Sequence, residues 1–143
     1  MQSNNASILI VDDNPAVRNL LAAHMERLGH TPTLAENGRV ALDILKTLRV
    51  DLILLDIMMP VMNGYQVLEA LKTDSHLRHI PVIVISAVED MDSIVRCINL
   101  GAQDYLTKPF QALILRARVE ASLERKRLHD ELAAANRAKS EFV

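Results

Sequence analysis

The stretch VDLILLDIMMPVMNG, Val50 to Gly64, decides how this chain folds. Leu52, Ile53, Leu54 and Leu55 form an unbroken apolar run, the pattern of a strand covered on both faces, as in a parallel sheet. The run ends on Asp56, and apolar residues resume with Ile57 and Met58. A carboxylate in such a setting loses hydration, a cost that only a partner or a chemical task offsets.

Similar runs lie on either side: ILIV (8–11), TPTLA (31–35), VIVI (82–85) and, more weakly, DYLT (104–107). Segments of helical period separate them. In NPAVRNLLAAHMERLG (14–29), Asn14 is the candidate N-cap, Pro15 takes the first helical position and Gly29 follows the last turn. NGRVALDILKTL (37–48) has an apolar face of Val40, Leu42, Ile44, Leu45 and Leu48. GYQVLEALKTD (64–74) and MDSIVRCINLG (91–101) supply two more helices. Strict strand–helix alternation calls for right-handed crossovers and an α/β fold, an open sheet with helices on both faces.

Ligands of such sheets bind beyond the carboxyl ends of the strands. Asp12 and Asp13 follow the first strand, Asp56 the third, Ser86 the fourth, and Lys108 with Pro109 the fifth. Three neighbouring carboxylates repel one another, which raises a pKa or demands a cation. Mg²⁺ fits, since it takes a few carboxylate oxygens and keeps its other positions for water and phosphate. With Lys108 also cationic, the rim suits a phosphoryl group. A carboxylate at its centre can act as nucleophile and form an acyl phosphate, with Ser86 donating a hydrogen bond.

Composition narrows the class. The 143 residues are 50% hydrophobic, enough for one domain with a sizeable core, and the formal net charge of −2 gives no electrostatic case for direct nucleic-acid binding. Cys97 is the single cysteine, so no disulfide forms within the chain; it reads as a small core or surface residue in a reducing, cytoplasmic setting. Neither a signal peptide nor a membrane span is expected.

From Gln111 onward there is no Gly or Pro, and a continuous helix there would reach about 50 Å. Leu115, Val119 and Leu123 are placed to pack on the sheet or on a partner. Leu128, Leu132, Ala135 and Phe142, with Lys139 between, follow the spacing of a coiled-coil seam, although the stripe jumps by five across ERKR. A solvated terminal helix is the competing reading.

Four blocks, ILIVDDNPAVR, LILLDIMMPVMNGYQVLEALK, PVIVISA and GAQDYLTKPF, together resemble the receiver domain of two-component response regulators, from about Ser7 to about Leu123. The resemblance implies a flavodoxin-like five-stranded sheet of order 2-1-3-4-5. It implies Asp56 as phosphoacceptor, Asp12, Asp13, Asp56 and the Met58 backbone carbonyl around Mg²⁺ (with Mn²⁺ able to substitute), and Ser86 and Lys108 on the phosphoryl group. Ser86 and Tyr105 would form the switch, and the Lys108–Pro109 bond would be cis. Met58 and Val88 line the approach of attacking water in that family. The expected division is a frayed or disordered stretch over 1–6, a receiver over 7–125 and a helical linker, read as a coiled coil, over 126–143.

ANRAKSEFV, at the end, resembles the stretch before the phosphorylated helix of histidine kinases, so a larger signalling protein with a kinase output is expected, with a cyclase, diguanylate cyclase or phosphatase output as the alternatives. The expected partners are a phosphohistidine-bearing kinase or phosphotransfer protein and a second copy through the terminal helix. Taken singly, Asp13 and Asp56 read as caps, Ser86 as a loop hydroxyl and Tyr105 as packing. His76, His79 and His129 read as solvated surface residues. An Mg²⁺-dependent phosphohydrolase lacks an obvious acid or base beside Asp56. A flavin or nucleotide binder lacks a phosphate-cradling loop after the first strand, and an inert dimerisation module leaves the rim unexplained.

Overall fold

The computed structural model describes residues 5–141. Five strands, β1 (Ser7–Val11), β2 (Thr31–Ala35), β3 (Leu52–Leu55), β4 (Val82–Ser86) and β5 (Asp104–Thr107), pair in parallel in the order β2-β1-β3-β4-β5. This is a flavodoxin-like fold. Helices α1 (Pro15–Arg27), α2 (Gly38–Leu45), α3 (Gly64–Thr73), α4 (Met91–Asn99) and α5 (Ala112–Glu141) connect and flank the strands.

Because β1, β3 and β4 are buried on both faces, their side chains divide between two cores. Ile8, Ile10, Leu52, Leu54, Ile83 and Ile85 face α1 and α5, where Leu21, Met25, Leu115 and Val119 cover them. Leu9, Val11, Ile53, Leu55 and Val84 face the other way, against residues of α2, α3 and α4 such as Ala41, Val67, Leu68 and Cys97. Truncating a fully buried Leu or Ile here to Ala costs about 2–5 kcal/mol. Cys97 is thus a core residue, and burial pushes its thiol up to about 11.

Asparagine or aspartate starts four helices. Asn14 Oδ1 accepts from the backbone N–H groups of Ala16 and Val17, Asn37 Oδ1 from Val40, and Asp90 Oδ1 from Ser93. Asn63 and Gln66 cap α3 reciprocally. Gly29 and Gly101, with φ of 89° and 107°, let the chain leave α1 and α4 in the left-handed conformation that closes a helix.

The chain departs from the sequence expectation at the end of α2. Leu48 lies beyond α2, which ends at Leu45; the N–H of Leu48 closes a last turn onto Ile44 and the chain then drops Val50 into the core. Within the stretch expected to fray, Ala6 is tied down, its N–H donating to Nδ1 of buried His30 at 3.1 Å, and Asn5 accepts from the Thr31 hydroxyl. The continuous helix expected from Gln111 onward is present as α5, which runs through residue 126 unbroken. Leu128 and Leu132 are 50% and 62% exposed and Ala135 is exposed, while Phe142 lies outside the described residues. No described helix is long and apolar enough to cross a membrane.

The loop after β3 carries local strain. Val61 has φ of 69°, and the N–H of Met62 reaches back to the Pro60 carbonyl at 2.7 Å, a three-residue turn around a β-branched residue. Gly64 then brings α3 against the end of β3 so closely that a Cβ there would lie 2.5 Å from the Asp56 carbonyl oxygen.

Candidate functional site

The sheet fixes the first residue beyond each strand. The N–H of Asp12 donates to Ala35, that of Asp56 to Val11 and that of Lys108 to Ser86, all at 2.9–3.1 Å. Three residues that carry chemistry are therefore held by backbone bonds that continue the ladder, independent of their side chains.

Those side chains converge. Asp12 and Asp56 are buried and Asp13 is exposed, and one carboxylate oxygen from each lies within 4.8 Å of the others. The Lys108 ammonium donates to Asp12 Oδ2 at 2.9 Å and stands 3.7 Å from Asp56 Oδ1. Asp56 Oδ1 also accepts from the Ile57 N–H, and Asp12 Oδ1 from the Asn14 N–H, both at 2.9 Å. The Lys108–Pro109 peptide is cis, as expected.

Burial raises the Asp56 carboxyl to about 6, and the charge of Asp12 adds to the effect, with a smaller push from Asp13. Lys108 and the Ile57 N–H act the other way without cancelling it. Three carboxylates against one ammonium leave a deficit of positive charge. A small hard cation with oxygen ligands removes that deficit, so the donor set fits Mg²⁺.

Ser86, at the end of β4, is buried, and its Oγ accepts from the Val88 N–H at 3.2 Å. Tyr105 on β5 is half-buried, and its hydroxyl donates to the Val88 carbonyl. Burial pushes the Tyr105 phenol up, with the Ser93 and Ser86 hydroxyls acting in opposition. The serine and tyrosine named from the sequence thus meet through one intervening residue. Met58 occupies the loop two residues past Asp56, with its side chain 65% exposed.

Several contacts at the site escaped the sequence. Arg18, one turn into α1, donates to the Asp12 carbonyl at 2.8 Å. Tyr65 on α3 shares a 2.5 Å hydrogen bond with Ser93 on α4, and the Arg96 guanidinium lies 3.9 Å above the Tyr65 ring. No motif marks these residues; only the approach of α3 to α4 brings them together. His79 and His129, read as independent surface residues, stack with centroids 4.6 Å apart, well away from the rim.

Residues 8–120 match the family described as response regulator receiver domain. The chain is 41% identical over 118 residues to the probable transcriptional regulator ycf27 of Cyanidium caldarium, covering 82% of this chain and 46% of that protein. It is 37% identical over 133 residues to a probable cyclic di-GMP phosphodiesterase of Vibrio cholerae, covering 93% and 30%. Among solved structures, the signal receiver domain of a histidine kinase from Syntrophus aciditrophicus superposes with a TM-score of 0.78 at 37% identity, covering 83% of this chain and 90% of that one. The chain spans about half or less of the curated relatives it matches.

Proposed function

Since the chain belongs to the response regulator receiver family of two-component systems, we propose that Asp56 is its phosphoacceptor and that phosphorylation there switches the domain. The observation that carries this reading is the convergence of Asp12, Asp13 and Asp56 within 4.8 Å, opposed by Lys108. Receiver domains take a phosphoryl group from a histidine kinase or phosphotransfer protein, and the same donor is proposed here.

Both short contacts of Asp56 use Oδ1, which leaves Oδ2 to form the new bond. Oδ2 attacks phosphorus in line, the P–N bond of the phosphohistidine breaks, and its electron pair returns to the departing imidazole. Lys108 donates to one phosphoryl oxygen, and the Ser86 hydroxyl, released from Val88, donates to another. Asp12, Asp13, Asp56 and the Met58 carbonyl would hold Mg²⁺, which supplies charge neutralisation for the phosphoryl oxygens. Burial keeps water from the acyl phosphate. Among the described residues the other carboxylates at the rim, Asp12 and Asp13, are the proposed Mg²⁺ ligands and are not free to act as acid or base for rapid hydrolysis, which favours a switch over a phosphohydrolase.

Recruitment of Ser86 to the phosphoryl group frees the Val88 N–H, and Tyr105 is bonded to the carbonyl of that same residue. A shift of conformation follows to the extent that one arrangement binds the phosphoryl group better. Signal leaves through α5, whose exposed Leu128, Leu132 and Ala135 support pairing with a second copy. The relatives span a transcriptional regulator, a phosphodiesterase and a histidine kinase, so a kinase output is not favoured over other effectors.

Incubation with a small-molecule phosphodonor and Mg²⁺ should add one phosphoryl mass to the parent and none to Asp56→Asn. No increase in the parent, or an equal one in the variant, overturns the proposal. Sedimentation should show self-association that Leu132→Glu abolishes; a monomeric parent removes the helix-pairing part alone.

A further inference from the structure

At the end of the sheet opposite Asp56, the loops leading into β3 and β4 and the second half of α5 line an open cavity of about 640 Å³. That volume falls in the ordinary range of small-molecule sites. Its walls are unusual for a chain of net charge −2. Lys46 and Arg49 come from the first loop, and Lys126 and Arg137 from α5, against one lining carboxylate, Asp130. Asp130 is already engaged with Lys126 at 2.5 Å, and Lys46 is paired with Asp43 at 3.4 Å on the exposed surface. Among the described residues Arg49 makes no ion pair, although it lines the cavity. The Lys126 side chain is only 9% exposed, so the basic lining extends inward.

Apolar and planar groups complete the walls. Leu45, Leu48, Val50 and Ile80 lie alongside, and the stacked His79 and His129 close one side. The positive surroundings act on His79 itself: burial lowers its pKa first, and the charges of His129, Arg78 and Lys126 lower it further, with Asp130 opposing. An excess of basic over acidic lining groups beside apolar surface and imidazole faces is the chemistry that receives a phosphate-bearing small molecule.

We propose that this cavity binds a small anion carrying a diphosphate group, held chiefly by Arg49 and Arg137. A free inorganic polyphosphate and a nucleoside diphosphate share that group; only the second adds a planar ring for the imidazoles and apolar wall. Because the lining comes from two loops of the body and from α5, an occupant bridges them and stiffens the junction through which the helix leaves the domain. The site uses no residue of the phosphorylation rim.

The test is calorimetric titration of the 143-residue chain, in EDTA so that the acidic rim holds no metal, with ADP, inorganic pyrophosphate and adenosine. Saturable one-to-one binding of ADP or pyrophosphate is expected, with adenosine at least about tenfold weaker. Arg49→Glu and Arg137→Glu, both at exposed positions, should each weaken it about tenfold or more, and Asp56→Asn should leave it unchanged. ADP bound more tightly than pyrophosphate identifies the nucleotide as the better fit; equal affinities identify the diphosphate alone. The proposal is overturned by no saturable heat from either anion, by adenosine binding as well as ADP, or by charge-reversed variants that titrate like the parent. A change caused by Asp56→Asn would place the ligand at the rim and overturn it as well.

Discussion

In metal-free protein, Asp56→Asn should stabilise the fold at neutral pH. The Asp56 carboxyl is raised from 3.8 to about 6, first by burial and then by the Asp12 charge. A folded-state pKa above the unfolded value means that the folded protein holds this proton more tightly, so stability falls as pH rises between the two values. A carboxyl raised to about 6 costs the fold roughly 3 kcal/mol near pH 7, diminishing to under about 1 kcal/mol at pH 4. Asparagine keeps the shape and removes the charge, so its gain should follow the same curve, reduced by the lost attraction to Lys108 at 3.7 Å. Urea unfolding in EDTA from pH 4 to 8 measures it. Excess Mg²⁺ should then raise the stability of the parent more than that of the variant, because binding to the folded state adds stability in proportion to occupancy. A variant no more stable than the parent at pH 7, or a gain as large at pH 4 as at pH 7, would refute the account of Asp56 as a buried charge opposed by its neighbours.

Three further substitutions probe the rim and its support. Lys108→Ala removes the one ammonium that lowers the Asp56 pKa; a carboxyl-carbon NMR titration should place Asp56 above about 6, and phosphoryl uptake should slow by about a hundredfold. Gly64→Ala forces a Cβ to within 2.5 Å of the Asp56 carbonyl oxygen and 2.7 Å of the Ile57 Cα, so denaturation should show a loss of about 1–3 kcal/mol together with slower phosphorylation. Val61→Gly should raise stability by up to about 1 kcal/mol, since it relieves a left-handed β-branched residue that is 78% exposed and contributes little burial.

The parts of this molecule that could be read directly are those where one local signal suffices. Apolar runs such as Leu52–Leu55 locate the buried strands, and the parallel arrangement then forces Asp12, Asp56, Ser86 and Lys108 to one rim. Asn14 marks a helix start because a side-chain acceptor is needed there whatever the tertiary setting, and in the structure Asn37 and Asn63 cap α2 and α3 in the same way. Contacts between distant segments were not legible. Tyr65 and Ser93 sit on different helices, His79 and His129 in a loop and on the last helix, and nothing in either local sequence encodes the other. Leu48 shows a different failure: it fits the apolar stripe of α2 by spacing, yet the helix ends before it so that Val50 can enter the core.

The position of Val88 between Ser86 and Tyr105 has a mechanical meaning. Its N–H and its carbonyl belong to adjoining peptide planes joined at one Cα, so the two hydrogen bonds communicate through only two torsion angles. The linkage has almost no slack, and it is made of main chain. The side chain at 88 can vary without uncoupling serine from tyrosine, whereas proline, which has no N–H to offer, would disconnect them.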